Sequence, residues 1–223
     1  DTALKNMHWK WFKHIPWIDT RARFLSSAPT HGALLDIGSS DGETLRHFHE
    51  MRPDIDYFAT DIEGQPDAYP KGCRFHRGDL NHEPLPWEDQ SIDAISCMHL
   101  VEHLERLEPL IAQSYRLLKP GGRLYIETPH PKTLSLGSAR GAAVGTFTMN
   151  FWDDLSHTRI VSMGALAQLC RRQGFEMKDS GTSRNLFFAA LWPFFMFLPP
   201  SRQRCTARIH WLGWSAYLVA RKP

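Results

Sequence analysis

The fold of this 223-residue chain is decided by residues 34–42, which read Leu34-Leu35-Asp36-Ile37-Gly38-Ser39-Ser40-Asp41-Gly42. The apolar run predicts a short buried strand over 33–37, and a helix is predicted over 42–51, before Pro53. Gly38 lets the backbone turn and leaves room for a ligand, because it has no Cβ atom. A tight turn between a buried strand and a helix is typical of the ligand-binding edge of an open α/β sheet.

The rest of the chain continues the alternation of strand and helix. Strands are predicted at 56–60, 73–76, 91–98, 123–128, 175–183 and 214–221, and helices at 102–118 and, after the capping residue Ser162, up to Gln173. Continuous apolar strands separated by helices predict a mostly parallel sheet with helices on both faces. The fold class is therefore predicted to be α/β, in a single domain over residues 1–223.

Three segments lie outside this alternation. Residues 1–28 are rich in aromatic side chains and predict a helical cover, broken at Pro16. Residues 129–158 have few periodic apolar positions, and we interpret them as a lid, with an ordinary surface loop as the alternative. Residues 186–208 combine an apolar run with Arg202, Arg204 and Arg208. A helix covering the core is the preferred interpretation of this run, and a patch for a lipid-like substrate or a peripheral membrane contact is the alternative.

Composition narrows the class of protein. The chain is 42% hydrophobic and 22% charged, as expected of a folded globular protein, and its formal net charge is only +2. No basic stripe accompanies that small charge, which argues against a DNA partner and makes RNA a weaker candidate. The four scattered cysteines favour a reduced, cytoplasmic protein. The apolar run at 186–198 is too short for a transmembrane helix and is interrupted by Pro193.

The residues around the turn favour one class of nucleotide ligand. Asp61 ends the second predicted strand, where a carboxylate can accept hydrogen bonds from both ribose hydroxyls. The turn reads D-x-G-x-S-x-G, so Asp36 precedes the first glycine. A pyrophosphate needs free N–H groups without a nearby carboxylate, whereas a ligand that carries an ammonium and a sulfonium tolerates the acid. These residues argue against a dinucleotide such as NAD.

Four groups of motifs complete the pattern in this order along the chain. They are Asp36–Gly42 with Asp61, then Gly78-Asp79-Leu80 with Leu85-Pro86-Trp87, then Ser91-Ile92-Asp93-Ala94-Ile95 with Glu102-His103-Leu104, and then Leu117-Leu118-Lys119-Pro120-Gly121-Gly122. Over residues 32–128 the chain resembles the class I S-adenosylmethionine-dependent methyltransferases. The resemblance implies a Rossmann-like, seven-stranded sheet whose last strand is antiparallel, and S-adenosylmethionine as cofactor, with S-adenosylhomocysteine as product.

The resemblance also implies roles for single residues. The turn would hold the methionine part of the cofactor, and the backbone of Met98 and His99 would line the methionine end. Asp61 would bind the ribose, and Ile62 would lie against the adenine ring. Asp79 and Leu80 would contact the far side of the adenine. The turn residues in this set are Asp36, Gly38, Ser39, Ser40 and Gly42. Ser40 departs from the small glycine usual in the family. Asp36 has an alternative role, as a structural carboxylate that binds backbone amides of the turn.

Three histidines could act as a general base in methyl transfer. His157 is the preferred candidate, His99 follows, and His130 is the third. A second interpretation involves metal, because His99, Glu102 and His103 would share one face of the predicted helix, with His157 joining from the lid. The resemblance is to an E-x-x-E-H metal motif, from which His99 departs, and no metal is expected.

The sequence thus predicts an enzyme that methylates an oxygen of a small-molecule metabolite such as a sugar, a polyketide or a quinone-like compound. An RNA methyltransferase is one alternative, and a non-catalytic S-adenosylmethionine-binding partner subunit is the other. The acceptor and the oligomeric state are left open.

Overall fold

A computed structural model describes residues 9–138 and 149–223. Its centre is a seven-stranded sheet with the order β3-β2-β1-β4-β5-β7-β6. The strands are β1 (Ala33–Ile37), β2 (Asp56–Asp61), β3 (Arg74–Arg77), β4 (Ile92–Met98), β5 (Leu118–Pro129), β6 (Glu176–Ser183) and β7 (Ser215–Arg221). β7 pairs antiparallel with both β5 and β6, and every other pairing is parallel. The α/β fold class and the antiparallel last strand are therefore confirmed.

Six α-helices flank the sheet in the described residues. They are α1 (Thr20–Ser26), α2 (Glu43–Met51), α3 (Glu108–Leu117), α4 (Met163–Gln173), α5 (Leu186–Phe195) and α6 (Arg202–Leu212). Apolar side chains of α1 and α2 pack on one face of the sheet, and those of α3 and α4 pack on the other. Both faces are thus covered, and ligands reach the sheet at the carboxyl ends of its parallel strands.

The predicted helix over 102–118 was wrong in its first turn and a half. Residues 101–103 form a turn, and the helix begins only at Glu108, with Pro109 in its first turn. Proline suits the start of a helix, because the N–H that it lacks would have no partner there. Leu104 lies in the segment before the helix and is buried in the core. Its apolar side chain continued the helical spacing of apolar residues, although the helix does not reach it. His99, Glu102 and His103 therefore do not share a helix face.

Smaller boundary differences follow from local backbone geometry. Gly42 precedes α2 with φ +72°, so it caps the helix instead of belonging to it. β5 is longer than predicted and extends from Leu118 to Pro129 through the Gly121-Gly122 turn. The predicted helix that ends at Gln173 is confirmed, with Ser162 as its N-cap and Gly174 at its end.

The structure of the flanking segments agrees only in part with the predicted elements. The predicted N-terminal cover consists of two 3₁₀ turns, Trp9–His14 and Pro16–Ile18, followed by α1. The apolar run predicted as one core-covering helix forms α5, of which only Phe188 and Ala189 are buried, and the arginines that follow belong to a second helix, α6, which was not predicted. The predicted lid contains two short 3₁₀ turns, Pro131–Ser135 and Phe151–Asp153, and its residues 139–148 lie outside the described residues.

Candidate cofactor and acceptor site

The Gly38 turn lies where β1 ends, beside the segment that follows β4. Gly38 has φ +75°, and a Cβ atom built on it would lie 3.0 Å from the Cβ of Leu100. The N–H groups of Gly38 and Ser39 both donate to the carbonyl of Thr60, at 2.9 and 3.2 Å. Glycine is required here for two reasons, because its φ is unfavourable for other residues and its neighbour leaves no space.

Ser40 takes the position where the family's glycine is usual, and the structure shows how the chain accommodates it. Its φ is +47°, in the left-handed region, and its N–H donates to Asp61 Oδ2 at 2.8 Å. The Tyr69 hydroxyl donates to the Ser40 carbonyl at 2.9 Å and lies 2.9 Å from Ser39 Oγ. Tyr69, which the sequence did not single out, thus buttresses the turn from the loop after β2.

Asp61 connects two parts of the predicted cofactor site. Besides Ser40, its carboxylate accepts from the N–H groups of Glu63 at 2.9 Å and Gly64 at 3.1 Å. A carboxylate offers about four lone-pair directions, so these bonds still leave room for a hydroxyl. Ile62 beside it is exposed and free to contact a flat ring.

The second predicted adenine contact, Asp79, already has hydrogen-bond partners within its own loop. Asp79 accepts from the N–H of Asn81 at 2.8 Å and lies 2.7 Å from His82 Nδ1. These hydrogen bonds from Asn81 and His82 hold the pKa of Asp79 below its usual range. Leu80 is half-buried and packs against the core. Asp79 therefore caps its own loop in this structure, and its contact with adenine stays a prediction.

Asp36 is a buried carboxyl group under the turn. The Ser96 hydroxyl donates to its Oδ1 at 2.6 Å. Burial raises the pKa of Asp36 to about 7, although the bond from Ser96 opposes the shift. The amides of Gly38 and Ser39 donate to the Thr60 carbonyl and that of Ser40 to Asp61, so a bound cation at this edge is the partner that would ionise Asp36.

His99 follows the buried Met98 at the end of β4, and its ring lies between two carboxylates. Its Nδ1 is 3.3 Å from Glu102 Oε1 and its Nε2 is 3.3 Å from Glu127 Oε1. Burial alone would lower the pKa of His99, but the two carboxylates outweigh it and raise the pKa to about 9. The ring is thus an imidazolium near neutral pH and has no lone pair with which to accept a proton, so it is unsuited to be a general base.

Glu127 is the centre of a buried network that the sequence did not reveal. Arg21 donates to it through Nε at 3.1 Å and Nη2 at 2.7 Å, and the hydroxyls of Tyr125 and Ser183 donate at 2.5 and 2.8 Å. Burial would raise the pKa of Glu127, but Arg21 and His99 hold it well below its usual range. Glu127 is therefore ionised and joins the N-terminal cover to the carboxyl end of β5.

A cavity of about 190 Å³ opens beside this network at the carboxyl ends of β4, β5 and β6. We call it the acceptor cavity. Its described lining residues come from five parts of the chain: Arg21, His99, Glu127, Ser183, Thr206, Ile209, His210, Trp214 and Ser215. Because His99 lies only one residue before Leu100, which contacts the Gly38 turn, the cavity adjoins the predicted methionine end of the cofactor site.

The other two candidate histidines, His157 and His130, are not among the described residues that line the acceptor cavity. His157 is buried, its Nδ1 donates to the Phe151 carbonyl at 2.6 Å, and it is not among the described residues that line the acceptor cavity. His130 accepts a bond from the N–H of Lys132 at 3.1 Å, and burial lowers its pKa. The described lining of the cavity therefore includes His99 and neither His157 nor His130, although the backbone N–H of His130 donates to the carbonyl of the lining residue Trp214 at 2.8 Å.

One cluster has the composition of a metal site. Glu102, His103 and His157 offer ligand atoms that lie within 4.8 Å of one another. Three of the four residues in the metal interpretation thus meet through a turn and the segment after Phe151, and the fourth, His99, lies beside the cluster with its Nδ1 3.3 Å from Glu102 Oε1. Carboxylate and imidazole groups suit zinc or other divalent ions. The expectation that no metal binds stays a prediction.

Comparison with known proteins decides the family. The sequence model of the methyltransferase domain family matches residues 10–179. The chain belongs to this family. A protein of Mycolicibacterium smegmatis described as an S-adenosylmethionine-dependent methyltransferase is 30% identical over 111 residues, which are 48% of this chain and 39% of that protein. The class I resemblance seen in the motifs is confirmed.

One further sequence relative and one solved structure resemble this methyltransferase domain. A ubiquinone/menaquinone biosynthesis C-methyltransferase of Bartonella tribocorum is 28% identical over 120 residues, 49% of this chain and 46% of that protein. The crystal structure of an S-adenosylmethionine-dependent methyltransferase from Mesorhizobium loti has a TM-score of 0.62 at 19% identity, covering 94% of this chain and 98% of that one. The matches to the two sequence relatives span less than half of their length, and the structural likeness shows the fold alone.

Sequence reasoning missed Arg21, Glu127 and the residues of α6. A carboxylate inside the predicted fifth strand was a usable signal, because a charged residue at a buried strand position needs a partner. Nothing in the sequence named that partner, since Arg21 and Glu127 are 106 residues apart.

Proposed function

We propose that this methyltransferase transfers the methyl group of S-adenosylmethionine to an oxygen of a small molecule bound in the acceptor cavity, and that this oxygen belongs to an acidic hydroxyl of the phenol or enol type. The observation that carries the proposal is the pair of cations at the cavity wall. Arg21 and His99 both face Glu127 there, 2.7 and 3.3 Å from its Oε1.

Transfer from a sulfonium needs alignment more than activation of the leaving group. The Arg21 guanidinium and the His99 imidazolium stabilise the anion of a nearby hydroxyl and lower its pKa, and the Glu127 carboxylate, which pairs with both cations, offsets part of this effect. An acidic hydroxyl can then ionise without a strong base. In this proposal His99 orients the oxygen and stabilises its charge, while the predicted role of His157 as base concerns only acceptors that are less acidic.

A second candidate function, methylation of carbon, would start from the same phenolate or enolate anion. The negative charge of a phenolate or enolate is shared with a neighbouring carbon, which can also attack the methyl group. The C-methyltransferase of quinone biosynthesis from Bartonella tribocorum favours this candidate. The product separates the two, because a methoxy group and a ring-bound methyl group have different NMR signals.

The test is turnover of S-adenosylmethionine to S-adenosylhomocysteine with a panel of phenols, enols, aliphatic alcohols, amines and short RNA. We expect turnover with phenols or enols, and a His99→Gln variant whose turnover falls at least about tenfold, as for a lost electrostatic contact to a developing charge. His14→Gln, at an exposed imidazole, is the matched control.

Other outcomes would decide against the proposal. Turnover only with amines or with RNA would assign another acceptor. Tight cofactor binding with no turnover on any member of the panel, or on cell extract, would favour the non-catalytic partner subunit.

A further inference from the structure

Helix α5 presents an apolar face to solvent. Only Phe188 and Ala189 of the helix are buried. The exposed positions follow helical spacing, with Phe187, Ala190 and Phe194 on one side and Phe197 one turn further. The exposed fractions of Phe194 and Phe197 are 72% and 82%. Large exposed apolar patches on soluble proteins mark surfaces that contact a partner or a membrane.

The apolar patch extends beyond one helix. It includes the residues that follow α5 and one residue of α6, and the exposed large side chains are Leu186, Phe187, Phe194, Met196, Phe197, Leu198 and Trp211. We call this the α5–α6 surface. It lies after residue 179, where the match to the methyltransferase domain family ends, so it is a feature of this chain outside the matched domain.

Arginines border this surface, and one of them, Arg202, is paired with Glu43 of α2, donating through Nη2 to both carboxylate oxygens at 2.8 and 2.9 Å. Residues 180–223 contain no aspartate or glutamate, and four arginines lie within or beside the two helices: Arg184, Arg202, Arg204 and Arg208. Arg204 donates to the carbonyl of Leu198, and the guanidinium of Arg208 lies 5.9 Å from the ring centre of Trp192. Arginines are thus held at the border of the apolar patch, as lipid-facing surfaces require.

We propose that the α5–α6 surface docks on an anionic lipid bilayer, with its phenylalanines in the interface and its arginines at the headgroups. No helix among residues 9–138 and 149–223 has both the length and the apolar character to cross a bilayer. The contact is therefore peripheral. Basic residues near an anionic membrane and apolar side chains in its interface both contribute to such binding.

Two other occupants fit the surface less well. A second copy of the chain in a symmetric dimer would bring the same arginines towards each other, and Glu43, the acid that meets this border, already pairs with Arg202. Single-stranded RNA would stack on exposed aromatic rings, but it would leave Leu186, Met196 and Leu198 in water.

The surface also lies next to the acceptor cavity. Helix α6 carries Arg204 and Arg208 on the border of the patch, and it lines the cavity with Thr206, Ile209 and His210. A docked bilayer would therefore lie on the other side of α6 from the cavity, about one helix diameter away, and an acceptor with a hydrocarbon part would pass around this helix to enter it. This last consequence rests on the proposed function, whereas vesicle binding itself does not.

The experiment is flotation with vesicles of phosphatidylcholine alone or with phosphatidylglycerol. We expect the chain to float with the anionic vesicles and to be released by salt. The double variant Phe194→Ser/Phe197→Ser should lower the partition coefficient at least about tenfold, because two exposed apolar groups no longer enter the interface. Arg208→Glu should lower it about fivefold or more.

Matched variants keep the test specific. Leu155→Ser removes an apolar side chain that is 97% exposed elsewhere, and Arg172→Glu reverses an exposed charge at the end of α4. Both should float like the parent chain, and circular dichroism melts check that all variants fold.

Three kinds of result would overturn the proposal. One is no flotation with phosphatidylglycerol vesicles, or equal flotation of the double variant. Another is a dimer by sedimentation that the double variant abolishes, without vesicle binding. The third is binding to oligouridylate without binding to vesicles. None of these results bears on turnover, so failure here is distinguishable from failure of the proposed function.

Discussion

At the scale of single residues, the ring of His99 lies between Glu102 and Glu127, and this position makes the stability of the fold depend on pH. The pKa of His99 in the folded chain is about 9, above the value of about 6.5 expected when unfolded. A raised pKa contributes stability that is fully present below the unfolded value and is lost as pH rises through the folded value.

The first prediction is a fall in the free energy of unfolding between about pH 6.5 and pH 9 that depends on His99. Chemical denaturation of the parent chain and of His99→Gln across this range measures it. The variant should be less stable at pH 6.5, and its stability should vary less with pH. The exposed His14→Gln variant should behave like the parent chain. Equal pH dependence in His99→Gln would contradict the assignment of the charge to His99.

The second prediction concerns Asp36, whose pKa is raised to about 7 by burial. If the ammonium of the cofactor binds near this carboxyl, it lowers the pKa and Asp36 loses its proton. Binding of S-adenosylmethionine should then release nearly one proton at about pH 6 and almost none at about pH 9. Calorimetric titration in buffers of different ionisation enthalpy measures the release. Its persistence in Asp36→Asn would assign the proton to another group.

At the scale of elements, α1 is fixed to the sheet by one buried ion pair and one exposed pair. Arg21 binds Glu127, which is buried, and Arg23 binds Asp179 at 2.8 Å, where both side chains are about half exposed. The two pairs come from the same helix and differ mainly in burial. They therefore separate the cost of an unpaired buried charge from that of a surface contact.

The third prediction compares these pairs. Arg21→Ala should lower the free energy of unfolding by about 2–4 kcal/mol, somewhat under the usual cost of breaking a buried pair, because Arg21 retains some exposure. Asp179→Asn should lower it by less than about 1 kcal/mol. Urea denaturation of both variants gives the two values, and similar costs would mean that Glu127 finds another partner.

Elements also show where sequence patterns are informative. The strand over 33–37, its glycine turn and the helix ending at Gln173 were predicted because their signals are local: an apolar run, a glycine, a Ser cap. The start of α3 was mistaken because Leu104 reaches the core from the segment before the helix. The apolar run 186–198 forms the expected helix but leaves most of it exposed, because exposure cannot be read from apolar residues alone.

At the scale of the whole molecule, the cofactor should stabilise the fold. A ligand at one hundred times its dissociation constant contributes about 2.7 kcal/mol, and for a chain of this size each kcal/mol raises the melting temperature by about 2–4 °C. The fourth prediction is therefore a rise of about 5–10 °C with S-adenosylmethionine or S-adenosylhomocysteine, and none with NAD.

Asp61→Ala should remove most of that rise, measured against the variant's own melting temperature. Asp56→Ala, at the opposite and exposed end of β2, should keep it. A rise with NAD alone would contradict the cofactor assignment. The same rise in Asp61→Ala as in Asp56→Ala would contradict only the role of Asp61.

The candidate site was predictable in its cofactor half and not in its acceptor half. The cofactor half is carried by short motifs, and the structure places Gly38, Ser40 and Asp61 together through one hydrogen bond of 2.8 Å. The acceptor cavity joins Arg21 near one end of the chain to Trp214 and Ser215 near the other. Contacts over such separations follow from the order of strands in the sheet, which no local pattern contains.

That order of strands has a consequence for the protein as it is made on the ribosome. In the described sheet β6 is an edge strand, and its hydrogen-bonded neighbour is β7, which lies between β6 and β5. Residues 176–183 therefore leave the exit tunnel with no strand to join until residues 215–221 follow them. During that interval we expect the apolar side chains of α5 to be accessible to chaperones. We also expect the nascent chain to be most prone to aggregation at this stage.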